Sequence, residues 1–144
     1  MEASAQARAS IDDRVRGALV GLACGDAVGV ASEFQARGTF PEIKGMVGGG
    51  VHRLQPGQWT DDTSLALCLA QSLIERSGHD PRDQLSRFRA WFEVGKLSST
   101  GSCFDIGNAT SAALERFRYV AWAASSMLLS SRAKKSTGTL CTLL

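Results

Sequence analysis

The chain has 144 residues, of which 44% are hydrophobic and 21% charged, and its formal net charge is +2. This length and composition suit one globular domain with a hydrophobic core. Neither the weak net charge nor the 7% aromatic content favours a nucleic-acid-binding or membrane-binding protein.

The four cysteines are far apart in the chain and show no C-x-x-C spacing. They are Cys24, Cys68, Cys103 and Cys141. This distribution predicts reduced thiols in a cytoplasmic protein rather than a disulfide or zinc framework. We see no basic leader followed by an apolar segment, and no apolar run of membrane-spanning length, so we expect neither secretion nor membrane insertion.

The first predicted element is a helix from about Asp12 to Val30. Glycine recurs in it every four residues, which places one glycine stripe on one face. The stripe consists of Gly17, Gly21, Gly25 and Gly29. Because glycine weakens a helix, we expect another helix to approach this face closely, with Ser64–Arg76 as the predicted partner. A closely approaching ligand is the alternative.

Two acids near the end of this helix are candidate functional residues. Asp26 lies among small and apolar residues, so its carboxylate must find a hydrogen bond or a cation. We expect it to have a structural role, or to hold metal ligands in place without contacting the metal. Glu33 follows the helix and could also be a solvated acid. In the loop-like residues after it, His52 is expected to be exposed and without a special role, as is His79 further on.

The segment Pro56–Thr63 and the apolar run Ser64–Leu73 are the centre of the sequence. Pro56–Gly57 predicts a turn, and Thr60 or Asp61 could cap a helix whose first turn is acidic. The almost uncharged run predicts that this helix is buried nearly all round. The acids could be no more than a well-capped helix start. Alternatively, Thr60, Asp61 and Asp62 could offer three oxygen ligands to Mg²⁺ or Mn²⁺.

A third helix has clear boundaries. Asp80 is the predicted N-cap, Pro81 the first helical residue, Asp83 the third, and Gly95 the stop. One face of this predicted helix carries large apolar side chains and suggests a scaffold. These are Leu85, Phe88, Trp91 and Phe92.

A Ser-Gly loop at 96–101 leads through Cys103–Asn108 into a predicted small-residue helix from about Ala109 to Phe117. Such a loop ahead of a helix could present backbone N–H groups to an anion such as a diphosphate. Asp105 could equally be the N-cap of this helix. With no useful strand alternation, the sequence predicts an all-α fold of at least four helices.

Four blocks of this chain, taken together and in order, resemble the ADP-ribosylglycohydrolase family. The resemblance covers roughly Arg14 to Phe117. The blocks are Arg16–Gly29 (RGALVGLACGDAVG), Glu33–Phe34, Pro56–Thr63 (PGQWTDDT) and Gly101–Gly107 (GSCFDIG).

The resemblance implies a compact, orthogonal all-α bundle with two divalent cations, Mg²⁺ or Mn²⁺, in a central cleft. By resemblance, Thr60, Asp61 and Asp62 are metal ligands and Glu33 approaches the metal or the substrate. Asp105 is implied to contact the ribose or assist proton transfer. The loop near bound ADP-ribose is implied to consist of Gly101, Ser102, Cys103, Phe104, Asp105, Ile106 and Gly107. The implied reaction is hydrolysis of the N-glycosidic bond between ADP-ribose and a protein side chain, commonly arginine.

The chain departs from the family pattern after Phe117. Family members are longer, and a second acidic segment completes their dinuclear site, whereas 118–144 contains no acid. We therefore expect an N-terminal part of the family domain at 1–117 and a divergent tail at 118–144. We expect little or no glycohydrolase turnover, and self-association through exposed core surface. Two alternatives are a non-catalytic remnant that binds metal or ADP-ribose, and a small helical scaffold protein.

Overall fold

A computed structural model describes residues 9–117 of the chain. Three helices follow one another, α1 (Ile11–Gly29), α2 (Asp61–Arg76) and α3 (Pro81–Val94), and residues 108–117 form a further helix, α4. Among the described residues the only extended pairing is an isolated antiparallel bridge between Gly49 and Leu54. The predicted all-α fold is therefore confirmed, whereas the expected tail at 118–144 lies outside the described residues.

The helix α1 begins and ends where its sequence predicts. Ser10 is the N-cap, and its Oγ accepts a hydrogen bond of 3.1 Å from the Asp13 backbone N–H. Asp12 and Asp13 place negative charge in the first turn, facing the positive end of the helix dipole. Ala27 is the only buried residue of this helix. The described residues therefore leave most of the surface of α1 uncovered.

The predicted packing of the glycine stripe of α1 is wrong. A methyl group added to any of its four glycines would meet no described atom within 4 Å. The helix α1 does contact α2, but a small apolar groove at this contact is lined by other side chains. They include Leu19, Leu22 and Ala23 of α1 with Ala66 and Leu67 of α2. These apolar side chains occupy a different face of α1, which leaves the stripe open.

The helix α2 packs against α3 through a row of small residues. Ser64, Cys68 and Ser72 are buried at intervals of four residues, and the Cys68 thiol lies 3.6 Å from the Arg87 carbonyl of α3. Trp91 of α3 is only 1% exposed and is the largest fully buried side chain among residues 9–117. Small side chains on α2 therefore make room for the bulky residues of α3.

The prediction that α2 is buried nearly all round is wrong. Leu69 and Leu73 are exposed, and Ile74 is 77% exposed. No element in the described part of the chain covers this face of α2. The apolar run indicated a buried helix because sequence pattern alone does not tell which elements are available to cover it.

The helix α3 has the boundaries that its sequence predicts. The Asp80 carboxylate accepts hydrogen bonds from the backbone N–H groups of Arg82 and Asp83, Pro81 is the first helical residue, and Gly95 ends the helix in a left-handed conformation. Arg87 also bridges Glu75 of α2 at 2.7 Å and pairs with Asp83 on its own helix.

The chain divides into two compact units, Met1–Ile106 and Gly107–Leu144. In the described part of the second unit, the Ser111 N–H donates to the Gly107 carbonyl at the start of α4, and Leu114 is buried. This helix agrees with the small-residue helix predicted from about Ala109. Among the described helices, none has a stretch both long and apolar enough to cross a bilayer.

Candidate functional site

Asp26 of α1 caps the start of α2 from outside that helix. Its carboxylate accepts hydrogen bonds from the backbone N–H and the hydroxyl of both Thr60 and Thr63, over distances of 2.6–3.1 Å. These bonds replace an ordinary cap, because the Thr60 side chain caps no N–H group of α2. The hydrogen bond that we expected Asp26 to find is present, and it fixes the position of Thr60. The Thr60 hydroxyl is the donor in its bond, so its oxygen keeps lone pairs for another partner.

Three side chains from distant parts of the sequence meet beside this helix start. Ligand atoms of Glu33, His52 and Asp105 all lie within 4.8 Å of one another, in an arrangement that could hold a metal ion. His52 Nε2 lies 3.0 Å from Asp105 Oδ1, and the two side chains are 26% and 12% exposed. Glu33 Oε2 and His52 Nε2 have no hydrogen-bond partner in the described part of the chain.

The expectation for His52 is therefore wrong, whereas His79 is exposed as predicted. A lone histidine in a polar loop gave no direct signal. The available clue was its place between the triplet Gly48–Gly50 and the Pro56–Gly57 turn, because this short loop runs directly into the acidic start of α2.

A small hairpin turn holds His52 in place. Gly49 and Leu54 exchange two backbone hydrogen bonds of 2.8 and 2.9 Å. Gly50 has a φ of 64°, and a Cβ there would collide with the Val30 carbonyl at the end of α1. Glycine is required at this position because the turn lies directly against α1. The turn thus carries His52 toward the exit of α1, where Glu33 lies.

The loop that carries Asp105 is attached to the segment preceding α2. Gln58 Nε2 donates to the Ser99 carbonyl at 3.0 Å, and Ser99 Oγ donates to the Trp59 carbonyl at 2.6 Å. Further along, the Phe104 ring contacts the His52 ring at a centroid distance of 5.2 Å. Asp105 itself has a φ of 58°, a left-handed conformation that Asp tolerates better than most residues. Its carboxylate contacts His52, and α4 begins only at residue 108, so Asp105 is not the N-cap of that helix.

The carboxylates of this region disfavour one another's charge. The pKa of Glu33 is raised mainly by burial and then by the negative charge of Asp105, with His52 opposing both effects. Burial is also the main cause of the raised pKa of Asp61, followed by the charges of Asp105 and Asp62. Mutual repulsion of this kind is relieved when a cation binds. The region is therefore electrostatically suited to a positively charged ligand.

A cavity of about 500 Å³ opens at this helix start. One wall is the glycine stripe of α1, represented by Gly21, Gly25 and Gly29, and the acidic side includes Glu33 and Asp62. The volume lies within the range of small-molecule sites in proteins. Since the stripe lies against this open space, the alternative that we kept for it, a ligand at close range, agrees better with the structure than helix packing does.

The structure brings most of the predicted site residues together, but not all. Thr60 is buried and Asp61 half-buried, whereas Asp62 is exposed at the cavity. In the predicted substrate loop Gly101 and Ser102 are exposed. The half-buried members are Cys103, Phe104, Asp105 and Ile106, whereas Gly107 is exposed in the second unit.

Comparison with known proteins gives consistent relatives. An ADP-ribosylarginine hydrolase, Tri1, of Serratia proteamaculans is 51% identical over 105 residues, which cover 73% of this chain and 28% of that protein. The ADP-ribosyl-[dinitrogen reductase] glycohydrolase of Rhodospirillum rubrum is 36% identical over 76% of this chain and 36% of its own length. The chain thus spans about a third or less of the length of these two relatives.

A solved structure described as an ADP-ribosylglycohydrolase-related protein complex superimposes with a TM-score of 0.60 at 51% identity. The match covers 74% of this chain and 33% of that one, so the helical fold described here corresponds to a part of it. The family model described as ADP-ribosylglycohydrolase matches residues 7–143. Since this match includes nearly the whole sequence, the chain belongs to the ADP-ribosylglycohydrolase family.

Proposed function

We propose that this chain forms the N-terminal part of the site of a hydrolase that removes ADP-ribose from modified arginine side chains of proteins. The observation that carries the proposal is the meeting of Glu33, Asp61 and Asp105 at the start of α2, next to the cavity along the glycine stripe. The name ADP-ribosylarginine hydrolase supports arginine as the modified residue, and the name ADP-ribosyl-[dinitrogen reductase] glycohydrolase supports an ADP-ribosylated protein as the substrate. We also propose a cytoplasmic location, which agrees with the free thiols of Cys24, Cys68 and Cys103.

The acids have the properties that hydrolysis of an N-glycosidic bond requires. Such a reaction needs one group to activate water and another to handle the proton of the leaving side chain. Glu33 and Asp105 are the proposed catalytic residues. The pKa of Glu33 is raised, mainly by burial, which is the direction that suits a carboxyl group acting as an acid or base. Asp105 is proposed to contact the ribose, and the loop 101–107 to contact the rest of ADP-ribose.

The residues at the start of α2 fit a divalent cation. Thr60 keeps lone pairs because its hydroxyl donates a hydrogen bond to Asp26. The charged form of Asp61 is destabilised by burial and then by the neighbouring acids. We propose that Thr60, Asp61 and Asp62 hold Mg²⁺ or Mn²⁺, which prefer oxygen ligands. A cation bound there would supply Lewis-acid stabilisation and would help to orient the substrate. Asp26 supports this group by holding Thr60 in place.

A thermal-shift experiment tests the proposed function through binding. Mn²⁺ should raise the melting temperature by mass action, and ADP-ribose should raise it further. ADP is the matched control, because it lacks the second ribose that Asp105 would contact and should produce a smaller rise. The double substitution Asp61→Asn and Asp62→Asn should abolish the Mn²⁺ effect. An equal shift in the double variant would place the cation elsewhere and contradict the proposal.

We expect the 144-residue polypeptide to bind ADP-ribose but to release little or none of it from a modified protein. Its acidic candidate ligands all lie near the start of α2, and residues 118–144 contain no acid. An incompletely held cation orients the ribose poorly, and orientation contributes much to such catalysis. The measurement is release of ADP-ribose from an arginine-modified protein with Mn²⁺ present. Sustained release that is lost in Asp61→Asn would show that the site is completed in another way, for example across an oligomer.

A further inference from the structure

The Glu33–His52–Asp105 cluster contains a nitrogen donor that oxygen-based metal ligation does not require. Its members come from the exit of α1, the hairpin turn after it, and the loop following α3. The chain has only two histidines, and His52 is the one whose ring nitrogen lies among carboxylate oxygens. The other, His79, has its Nδ1 3.0 Å from the Gln84 side-chain amide.

Two atoms of the cluster have unmet hydrogen-bonding capacity. Glu33 Oε2 and His52 Nε2 are shielded from solvent, and neither has a hydrogen-bond partner among the described residues. His52 Nε2 lies 3.0 Å from Asp105 Oδ1, which is an ion-pair distance, but the two atoms are not hydrogen-bonded. Buried polar atoms without partners are costly, and each needs an explanation. A cation between them would satisfy both atoms at once.

The imidazole is held in position before any ligand arrives. Its turn is closed by the two backbone bonds between Gly49 and Leu54 and lies directly against the end of α1 at Gly50. Its ring contacts Phe104, the neighbour of Asp105. Support of this kind fixes the orientation of metal-binding histidines in proteins generally.

We propose that His52 is a nitrogen ligand of a cation held with Glu33 and Asp105, beside the oxygen ligands at the start of α2. This inference builds on the cation in the proposed function and adds a site with mixed nitrogen and oxygen ligands. Mg²⁺ prefers oxygen ligands and keeps several waters, whereas imidazole suits Zn²⁺, Cu²⁺, Ni²⁺ and iron best. Mn²⁺ also prefers oxygen ligands, but it gives up its waters more readily than Mg²⁺ and accepts a nitrogen ligand more readily. The site should therefore favour Mn²⁺ over Mg²⁺.

Pulsed electron paramagnetic resonance of the Mn²⁺-loaded 144-residue chain tests this directly. Coordination by His52 predicts a ¹⁴N coupling in the wild type and in His79→Gln, and its loss in His52→Gln. Labelling the chain with ¹⁵N-histidine should replace the ¹⁴N signal, which keeps the test decisive even if the His52 variant folds poorly. A wild-type spectrum without nitrogen coupling would overturn the proposal.

Cation affinity provides the second readout. Loss of the imidazole should weaken Mn²⁺ binding about tenfold or more, since even groups that only orient metal ligands typically contribute that much. Mg²⁺ binding should change less. The unliganded melting temperatures of His52→Gln and His79→Gln report any purely structural effect. Equal Mn²⁺ affinity in His52→Gln and the wild type would also overturn the proposal.

The failure of this inference can be told apart from failure of the proposed function. If Mn²⁺ binds without nitrogen coupling and is lost in Asp61→Asn with Asp62→Asn, the inference fails and the proposed function stands. If nitrogen coupling is present but ADP-ribose does not bind, the inference stands and the proposed function fails. If the wild type binds no Mn²⁺, both are wrong.

Discussion

At the scale of single residues, the position of one carboxylate determines how the site is organised. Asp26 belongs to α1, yet it takes the place of a cap for α2 by accepting hydrogen bonds from Thr60 and Thr63. A negative charge at a helix N-terminus is favourable. The same bonds orient Thr60 at the cavity, so one side chain joins two helices and positions a proposed ligand.

Asp26→Asn tests this role of the carboxylate in the fold. The variant loses the charge that accepts the hydrogen bonds and keeps one acceptor oxygen, so we expect a loss of about 1–3 kcal/mol in the free energy of unfolding. Urea unfolding measures it. Asp12→Asn is the matched control, because this exposed acid in the first turn of α1 should change stability by less than about 0.5 kcal/mol. Equal stability of the Asp26 variant and the wild type would show that Asp26 is not a cap.

At the scale of elements, the termini of the helices were easier to predict than the segments that pack against each helix. Asp80, Pro81 and Gly95 bound α3 as their residue types predict, because capping depends on atoms within a few residues. The burial of α2 and the packing of the glycine stripe were predicted wrongly. They depend on which distant segments lie nearby, and periodicity carries no such information.

The same limit applies to the candidate site. Glu33, Asp61 and Asp105 could be named from the sequence because their motifs resemble those of a family. His52 could not, since its significance depends on a turn that lies against the end of α1 at Gly50 and on contact with Asp105, more than fifty residues later in the chain.

A pair of glycine substitutions tests whether the stripe is unpacked, by comparing Gly21 on the stripe with Gly50 in the hairpin turn. Gly21→Ala should raise the free energy of unfolding by about 0.5–1 kcal/mol, because alanine favours the helix and no described atom lies within 4 Å of the new methyl group. Gly50→Ala should lower it, because φ is 64° and the Val30 carbonyl blocks the Cβ. Chemical denaturation compares the two. A destabilised Gly21→Ala would restore the idea that this face is packed.

The ion pair between Asp83 and Arg87 of α3 predicts a pH dependence of stability. Hydrogen bonding to Arg87 is the main reason that the pKa of Asp83 lies well below its usual range. A carboxyl group with a lowered folded-state pKa stabilises the fold above its unfolded pKa of about 3.9, and this contribution disappears as the pH falls toward the folded value. Melting temperatures at pH 7 and pH 3 measure it. Asp83→Asn should melt below the wild type at pH 7, with a smaller difference at pH 3; an equal difference at both would contradict the pairing.

At the scale of the whole molecule, the described part of the chain combines a formed acidic site with uncovered apolar surface. Exposed apolar side chains lie on both helices. They are Leu69, Leu73 and Ile74 on α2 and Ile11, Val15 and Val20 on α1. Large exposed apolar surfaces are typical of protein–protein interaction sites or of proteins that aggregate. The chain spans only 28% of the Serratia relative and 36% of the Rhodospirillum relative.

We therefore expect the 144-residue polypeptide to self-associate through the exposed face of α2. Light scattering after size exclusion should give a mass above that of the 15.3 kDa monomer. Replacing Leu69 and Leu73 by glutamate should shift the population toward monomer, while Glu93→Gln, a change at an exposed position of α3, should not. A monomeric wild type would contradict this expectation.

The central claim is that the acids meeting at the start of α2 bind ADP-ribose with the help of a divalent cation. Isothermal titration calorimetry with ADP-ribose, in Mn²⁺ and then in EDTA, tests it most directly. The account predicts binding that requires Mn²⁺ and weakens about tenfold or more in Asp105→Asn, the loss expected when a hydrogen bond to a charged group is removed. The control Asp12→Asn should bind like the wild type. Binding that is equal in EDTA and in Mn²⁺, or unchanged in Asp105→Asn, would contradict the account.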